Sequence, residues 1–344
     1  MRTEEACAYL LAAEKGAQVF AHVVAGVDAG LFAAIHRHGE AGVLPATLAH
    51  ELGYYEDYVR VWCETAYALL LLDHTGDGRF RLGEGFEPLL AGGQPTSMLG
   101  YFGVREVFIR ERFEQPEFMR TGAVRTYAEH GERFSLAVAN LSGPRSDILI
   151  QQVYRGVPAV AARLGEGARV LDVGCGAARL PAALAREFPS TTFVGVDADG
   201  SALAVGRREI EASGLADRVR LEQCCAAGMT HREEFDLVSL YAVMHELRAD
   251  IRPEAVRRMW QALRPGGILV STDQYYPSRL EDFRKGEFYV AVADQASEAV
   301  WGNRHLPQEK LAELFAASGF RRSEFHLVHF PGQPSPRLAA IAFK

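Results

Sequence analysis

The chain has 344 residues, more than one hydrophobic core usually supports, so its length predicts two domains. Hydrophobic residues make up 48% and charged residues 24% of it, as in ordinary globular proteins, and the net charge of −7 argues against a general affinity for nucleic acid or anionic membranes. The five cysteines fit neither a disulfide framework nor a zinc site. With no signal-peptide pattern and no long apolar run, these features predict a cytoplasmic protein.

The first predicted element is a long helix over Glu4–His38 with apolar residues on more than one side. A helix that is apolar nearly all round is buried on most of its faces. In a small domain this favours burial against a second copy of the chain, and hence a homodimer, over an internal core helix.

The next elements predict a winged-helix arrangement. A helix over Val43–Leu52 has Pro45 near its start and Gly53 at its end, both suited to those positions. A second helix is expected over Tyr55–Leu72, and a hairpin over Asp73–Leu82. Residues 1–94 are therefore interpreted as a mainly α winged-helix domain.

Winged helices often bind DNA, but the second helix argues against that function. It carries Glu56, Asp57 and Glu64 against a single Arg60. DNA readers need lysine and arginine for phosphate contacts. Nucleic acid is thus not an expected partner, and a regulator that binds a metabolite and DNA remains the alternative outside the enzymes.

Residues 95–164 are predicted to be a helical linker that contributes to a substrate pocket. A polar and aromatic cluster falls in a loop-like stretch of it: Arg120, Thr121, Gly122, Arg125, Tyr127, His130 and Gly131. Functional residues often lie on such loops. A solvated linker is the equally weighted alternative.

From residue 165 to 344 strands alternate with helices, which predicts an α/β fold with a doubly wound, mostly parallel sheet. The predicted strands are Arg169–Val173, Thr192–Val196, Val219–Gln223, Phe235–Leu240, Gly267–Thr272, Phe325–Phe330 and Leu338–Phe343, the last two forming an antiparallel hairpin. The predicted helices are Leu180–Phe188, Ala202–Ser213, Pro253–Leu263 and Pro307–Ser318.

A glycine turn ends the first of these strands, in the run VLDVGCG over Val170–Gly176. Gly174 and Gly176 let the backbone approach a ligand closely. A glycine turn alone also fits a dinucleotide site, but Asp172 would repel a pyrophosphate and suits an amino group. Asp197, at the end of the second strand, can accept bonds from ribose hydroxyls. Together these residues favour S-adenosylmethionine.

On these motifs the segment from about residue 168 resembles the class I S-adenosylmethionine-dependent methyltransferases. Arg264–Gly267 (RPGG) resembles a later motif of that family. With its winged-helix half the chain is similar to the dimeric small-molecule O-methyltransferases of natural-product pathways, and Arg120–Gly122 with Tyr127 resembles a linker pattern of bacterial members. The resemblance implies that the N-terminal domain serves dimerisation and that the cofactor contacts include Ala198, Ala226 and Tyr241.

The sequence departs from the family pattern at two positions. Ala178 replaces the third glycine of the first motif, and Cys225 stands where relatives often have an acid that contacts the adenine amine. A thiol is a weak acceptor. The adenine contact is expected from Cys225 or from backbone groups near Ala226.

The resemblance also places a base at His245, with Glu246 beside it, just past the strand Phe235–Leu240. Methyl transfer to a hydroxyl needs a group that removes its proton, and histidine titrates near working pH. A structural role at a helix start is the alternative. Glu298, Glu246 and Asp273 are the candidates for orienting the ring.

A second type of methyl transfer is also compatible with these residues. Some relatives methylate the carbon beside the keto group of 2-oxo acids, and some of these hold a metal through histidines. His245 with His305 or another histidine would be the ligand pair here. The leading interpretation, methylation of a hydroxylated aromatic acceptor, expects no metal, and it places Met244 and Trp301 with Arg120, Arg125 and Tyr127 around the acceptor.

Overall fold

The computed structural model describes residues 1–91, 97–331, 333 and 335–344. The chain divides into two compact units, residues 1–106 and 107–344. The predicted boundary at residues 94 and 95 lies outside the described residues, so the three-part division stays a prediction. Within the described residues no helix alone has the length and apolar content needed to cross a bilayer, although the first two helices, bent by 67°, pass that test when taken together.

The first unit is mainly helical. Its elements are α1 (Thr3–Asp28), α2 (Leu31–Arg37), α3 (Pro45–Leu52), α4 (Glu56–Ala68), β1 (Leu72–His74), β2 (Phe80–Leu82), α5 (Glu87–Leu90) and the start of α6 (Leu99–Thr121). The strands β1 and β2 pair antiparallel, as the predicted hairpin requires. The helix α3 and its end at Gly53, with φ of +71°, agree with the prediction.

Two predicted helices needed correction. The expected helix Glu4–His38 is two helices, because Gly30 adopts a left-handed conformation with φ of +70°. The expected helix Tyr55–Leu72 ends at Ala68, since Leu70 has φ of +64° and the chain turns there into β1. Early in α1, Tyr9, Leu10 and Leu11 are about two-thirds exposed, at 67%, 67% and 64%. This part of α1 is therefore not an internal core helix of a single chain.

The second unit holds the sheet. Its elements after α6 are α7 (Gly131–Ser142), α8 (Ser146–Leu149), α9 (Pro158–Gly165), β3 (Arg169–Val173), α10 (Arg179–Glu187), β4 (Thr192–Asp197), α11 (Gly200–Ala212), β5 (Val219–Gln223), β6 (Phe235–Tyr241), α12 (Arg252–Ala262), β7 (Leu263–Gln274), α13 (Tyr289–Glu298), α14 (Gln308–Ala317), β8 (Arg322–Val328) and β9 (Arg337–Phe343). A 3₁₀ turn over Tyr127–His130 precedes α7, and another over Ala299–Trp301 follows α13.

The seven strands form one sheet in the order β5-β4-β3-β6-β7-β9-β8. The first five are parallel, and β9 runs antiparallel between β7 and β8, as the predicted closing hairpin requires. The apolar strands are covered on both faces: one core includes residues of α9 and α10, and the other includes residues of α12 and α14. The strand order reverses at β3 and β6, where open α/β sheets bind ligands at the carboxyl edge.

Strand positions were predicted closely except at the starts of β7 and β8. The strand β7 begins at Leu263, four residues before the predicted Gly267, and β8 lies three residues earlier at its start than the predicted Phe325. The strand β8 is half exposed, so its apolar pattern is weak. Among the predicted helices of this unit, Pro253–Leu263 corresponds to α12 within one residue at each end.

Candidate active site

The glycine turn after β3 is closely packed against the loop that follows β6. Gly174 has φ of +69°, and a Cβ added there would lie 2.4 Å from a methyl group of Val243. Gly176 and Ala178 also have positive φ, at +53° and +56°. A left-handed alanine is uncommon and is held here by the start of α10. The turn thus brings backbone, without side chains, to the carboxyl edge of the sheet.

Asp172 is buried beneath this turn. Its Oδ1 has no hydrogen-bond partner among the described residues, and burial raises its pKa to about 7 although Ser239 lowers it. The hydroxyl groups of Ser239 and Tyr154 lie 2.6 Å apart and are buried. A buried acceptor without a donor is costly unless a ligand supplies the donor. An N–H or O–H group of a ligand could supply that donor, and an ammonium group is one such donor.

Asp197 holds the turn against the end of β4. Its Oδ2 accepts the N–H of Gly176 at 2.7 Å, and its Oδ1 accepts the N–H of Asp199 at 2.8 Å. Burial raises the pKa of Asp197 despite these bonds. A carboxylate offers about four acceptor sites, so two remain for ribose hydroxyls. Ala198, next in the chain, accepts a bond through its carbonyl from the Gln223 side chain at 3.2 Å.

The predicted adenine end lies just past β5. Cys225 is exposed and Cys224 is half-buried, and a 3₁₀ turn over Ala226–Gly228 follows them. The N–H of Gly228 donates to the Cys225 carbonyl at 2.9 Å. The structure thus places Cys225 and Ala226 at the same sheet edge as Asp197, with the thiol accessible.

His245 is buried in the turn after β6, and its ring is oriented by Asp273 of β7. The His245 Nδ1 lies 2.8 Å from both Asp273 carboxylate oxygens, and its main-chain N–H donates to the same carboxylate at 3.1 Å. Because a carboxylate only accepts, Nδ1 carries the proton and Nε2 faces away. Of the three candidates for orienting the ring, Asp273 makes the closest contact.

Two glutamates face the other nitrogen. The Nε2 of His245 lies 3.6 Å from Glu298 Oε1 and 3.9 Å from Glu246 Oε1. Burial disfavours the charged ring, but Asp273 and Glu298 outweigh burial and raise the His245 pKa well above its usual range. The Glu246 carboxyl sits in a recess, and burial raises its pKa to about 8 although 34% of its side chain remains exposed. The site is rich in acids and suited to cations.

His305 completes a possible metal-binding group. Its ring centroid lies 4.5 Å from that of His245, and neither of its ring nitrogens has a hydrogen-bond partner among the described residues. Burial and the neighbouring His245 lower the His305 pKa to about 3. His245, Asp273 and His305 each offer one ligand atom, all within 4.8 Å of one another. Two imidazoles and a carboxylate suit a transition metal.

The predicted acceptor residues do not all meet. Arg125, Tyr127 and Trp301 come together: the Arg125 N–H donates to the Val300 carbonyl at 2.9 Å, and the Tyr127 and Trp301 rings lie 6.3 Å apart. Burial, followed by the charges of Glu246 and Asp197, raises the Tyr127 pKa well above its usual range. Its hydroxyl therefore lies near both the predicted cofactor and base residues.

Arg120 and Met244 are placed elsewhere. The Arg120 side chain is 72% exposed at the end of α6 and pairs with Glu117 at 2.6 Å. Met244 is buried in the core that includes α12 and α14. Tyr241, at the end of β6, is half-buried and packs against the opposite core.

Sequence reasoning missed two buried polar groups around the site. Tyr154 beneath Asp172 lies in a π-helical turn over Ile150–Tyr154, and no motif marks it. Glu111 lies in the middle of α6 and binds Trp301 Nε1 at 2.5 Å. Glu111 stands between Arg110 and Arg112 in the run GVREVFIRERF, where it resembles an ordinary surface acid of a charged helix, so the sequence gives no signal that it is buried.

Residues 170–267 match a family model described as a methyltransferase domain. The methyltransferase GfsG of Streptomyces halstedii is 32% identical over 117 residues, which are 34% of this chain and 41% of that protein. The chain spans about half the length of the first curated relatives it matches, 58% of one and 41% of the other.

Two solved structures share the fold over the whole chain. The mitomycin 7-O-methyltransferase MmcR has a TM-score of 0.76 at 19% identity, covering 99% of this chain and 98% of that one. Human N-acetylserotonin methyltransferase, in complex with S-adenosylmethionine, has a TM-score of 0.76 at 16% identity, covering 100% and 99%. At these identities the likeness establishes a common fold, helical N-terminal region included.

Proposed function

We propose that the chain is a class I S-adenosylmethionine-dependent methyltransferase that methylates an oxygen of a small hydroxylated, aromatic acceptor. The match of residues 170–267 to a methyltransferase domain and the fold shared with solved small-molecule methyltransferases support this proposal. His245 is the proposed general base. The observation that carries this is the buried contact of 2.8 Å between His245 Nδ1 and Asp273, which orients the ring so that Nε2 is the nitrogen available to take the acceptor's proton.

The base works at the carboxyl edge beside the glycine turn. Methyl transfer is an in-line displacement, and a hydroxyl becomes a good nucleophile when its proton leaves. The resting His245 holds a proton, since its pKa is raised. S-adenosylmethionine would supply a positively charged sulfonium when bound, and a positive charge close to His245 would favour the neutral ring. His245 would then be able to accept the acceptor's proton.

Glu246 is proposed as a second catalytic group and Tyr127, Arg125 and Trp301 as acceptor residues. The Glu246 carboxyl, with its pKa near 8, is protonated at neutral pH and can donate a hydrogen bond to the acceptor. Tyr127 and Trp301 supply aromatic surface. The exposed position of Arg120 gives it no support as an acceptor residue in one chain.

The test is a screen of phenols, carboxylates and 2-oxo acids with S-adenosylmethionine labelled in the methyl group, identifying the atom that gains the label. His245→Ala should lower the rate of O-methylation by about 10²- to 10⁴-fold, the usual contribution of a general base. Its affinity for S-adenosylhomocysteine should be unchanged. An undiminished rate would refute the role of His245.

A second candidate is metal-assisted C-methylation of a 2-oxo acid. The observation that favours it is the group of His245, Asp273 and His305, in which the His305 nitrogens have no partner among the described residues. A metal there would bind the two oxygens of a 2-oxo acid and favour its enolate. Metal analysis of the purified protein and its His305→Ala variant tests this candidate: a stoichiometric metal that the variant loses favours C-methylation.

The homodimer is proposed from α1. Tyr9, Leu10 and Leu11 project from that helix with about two-thirds of their surface exposed. Contiguous exposed apolar residues are typical of protein interfaces. Light scattering after size exclusion should give twice the chain mass of 37.8 kDa, and charged substitutions at Leu10 and Leu11 should halve it.

A further inference from the structure

We propose that Glu111 is a positioning residue: its buried carboxylate joins the turn that carries Tyr127 to the turn that follows Glu298, and so fixes both side chains around the reacting atoms. This inference rests on the proposed function, because it concerns the same site. Glu111 itself contacts the two turns and acts on the reaction through them.

The Glu111 carboxylate is the centre of a buried network. Its side chain is 3% exposed. Its Oε1 accepts from Arg125 Nη1 at 2.8 Å and lies 2.7 Å from His130 Nε2, and its Oε2 accepts from Trp301 Nε1 at 2.5 Å. Burying an ionised acid is costly unless it is paired and hydrogen-bonded. Here both oxygens are paired, and they are paired with different segments of the chain.

The charge of Glu111 is part of this arrangement. Burial disfavours the ionised carboxyl, but the bonds from His130, Arg125 and Trp301 outweigh burial and lower the Glu111 pKa. His130 also faces the Tyr127 carbonyl oxygen through Nδ1 at 3.0 Å. Because both partners of this ring are acceptors, it donates both bonds only when both nitrogens carry protons. A neutral amide at position 111 would lose this charge pairing.

On the side of Trp301, the network fixes the position of Glu298. Trp301 ends the 3₁₀ turn that directly follows Glu298, and the Val300 carbonyl in that turn accepts the Arg125 N–H at 2.9 Å. The other Glu298 oxygen, Oε2, accepts from Asn303 Nδ2 at 3.1 Å. Glu298 is therefore held from both sides of the turn.

The position of Glu298 determines what lies beside the proposed base, His245. Its Oε1 lies 3.6 Å from His245 Nε2, the nitrogen proposed to take the acceptor's proton. Glu298 is also one of the charges that raise the His245 pKa. Movement of the Ala299–Trp301 turn would change both the space beside Nε2 and the pKa of the ring.

On the side of His130, the network fixes the position of Tyr127. His130 ends the 3₁₀ turn that Tyr127 begins, and the Tyr127 ring packs edge-on to Phe134 at 5.3 Å and to Trp301 at 6.3 Å. Burial, and after it the nearby acids Glu246, Asp197, Asp199 and Glu298, raise the pKa of the Tyr127 hydroxyl. Loss of the bond between Glu111 and His130 would free this turn.

Glu114 offers a matched control on the same helix. Its carboxylate also binds Arg125, through Nη2 at 2.7 Å, but its side chain is 45% exposed. Among the described residues its hydrogen bonds go to Arg125 alone. Glu111→Gln and Glu114→Gln remove the same charge and weaken the same arginine, and they differ in the bonds to His130 and Trp301.

The experiment measures steady-state kinetics of both variants with the acceptor returned by the screen, together with S-adenosylhomocysteine affinity and Tm. Misplacement of a positioned group by about 1 Å can cost up to about 10²-fold in rate, so Glu111→Gln should lower kcat by about tenfold or more. The KM for S-adenosylmethionine should change less than about twofold, and Glu114→Gln should resemble the wild type.

A kcat expressed per folded molecule separates positioning from loss of folded protein. Circular dichroism and Tm give the folded fraction of each variant, so a smaller folded fraction alone would leave this corrected kcat unchanged. Trp301→Phe, which removes only the indole donor, should reproduce part of the loss in kcat. Equal corrected kcat in Glu111→Gln and Glu114→Gln, or a loss that the folded fraction accounts for, would overturn the proposal.

Failure of this inference and failure of the proposed function give different results. If His245→Ala keeps its rate while Glu111→Gln loses it, the base assignment is refuted and the Glu111 effect must act elsewhere, which also overturns the present proposal. If His245→Ala loses its rate and Glu111→Gln keeps it, the base stands and only the positioning role fails.

Discussion

Asp273→Asn offers the sharpest test of the catalytic pair. Both carboxylate oxygens of Asp273 lie 2.8 Å from His245 Nδ1, and both residues are buried. A hydrogen bond to a charged group is worth about 1.5–3 kcal/mol, and about 1.4 kcal/mol corresponds to a tenfold change in rate. The substitution keeps the shape of the side chain and removes its charge. The expected loss in kcat is roughly 10- to 100-fold.

The pH dependence of the rate should also change in a defined direction. A base must be neutral to act, so the rate should rise with pH through the His245 pKa, which lies above its usual value of 6.5. Asp273 stabilises the charged ring, so its removal should move the ascending limb to lower pH. The rates are therefore compared on the high-pH plateau, where His245 is neutral in both proteins.

The assay follows the labelled methyl group from S-adenosylmethionine to the acceptor at initial rate. Asp250→Asn is the control, since Asp250 is a surface acid paired with Arg248 at 3.0 Å. Its rate and pH profile should match the wild type. Two results would refute the argument that Asp273 orients His245 and stabilises its charged form. One is a high-pH plateau rate that Asp273→Asn leaves unchanged, and the other is an ascending limb that moves to higher pH.

Three further predictions concern the cofactor and the network. Burial raises the Asp172 pKa to about 7, and an ammonium ligand prefers the ionised carboxylate. The affinity for S-adenosylhomocysteine, measured by calorimetry, should therefore rise from about pH 6 to about pH 7.5. Asp172→Asn should abolish this rise. Cys225→Asp restores an acceptor at the adenine end and should tighten S-adenosylhomocysteine binding by about fivefold, the equivalent of one net hydrogen bond, whereas unchanged affinity would place the adenine elsewhere. The Glu111 pKa is lowered from 4.5, so its bonds stabilise the fold above that pH and are lost as pH falls through the folded-state pKa; Tm should decline less steeply below pH 4.5 in Glu111→Gln.

Sequence patterns predicted the sheet because its strands are short apolar runs flanked by turn residues. The run VLDVGCG is β3 with its glycine turn, and VGVD ends β4 at Asp197. The same local reasoning failed where backbone conformation overrides composition. Leu70 is apolar and typical of a helix interior, yet its positive φ ends α4. No local pattern distinguishes such a residue from the helix before it.

The site features that sequence patterns did not predict depend on contacts between residues far apart in the chain. Asp273 was one of three candidates, and its adjacency to His245 depends on the parallel pairing of β6 and β7, which the alternation of elements implies. The pairing of His245 with His305 depends on how the loop before α14 packs against the turn after β6. The contact of Glu111 with Trp301 joins α6 to the turn after α13, 190 residues apart in the sequence. Spacing along the sequence carries no information on such a contact.

The close approach of Gly174 to Val243 limits which substitutions the glycine turn can accept. A side chain at position 174 would meet Val243 at 2.4 Å, and Val243 lies two residues before His245. Such a side chain would displace the loop that carries the base. Cofactor preference and acceptor activation would therefore have to be redesigned together, with compensating changes at positions 174 and 243 in a single library.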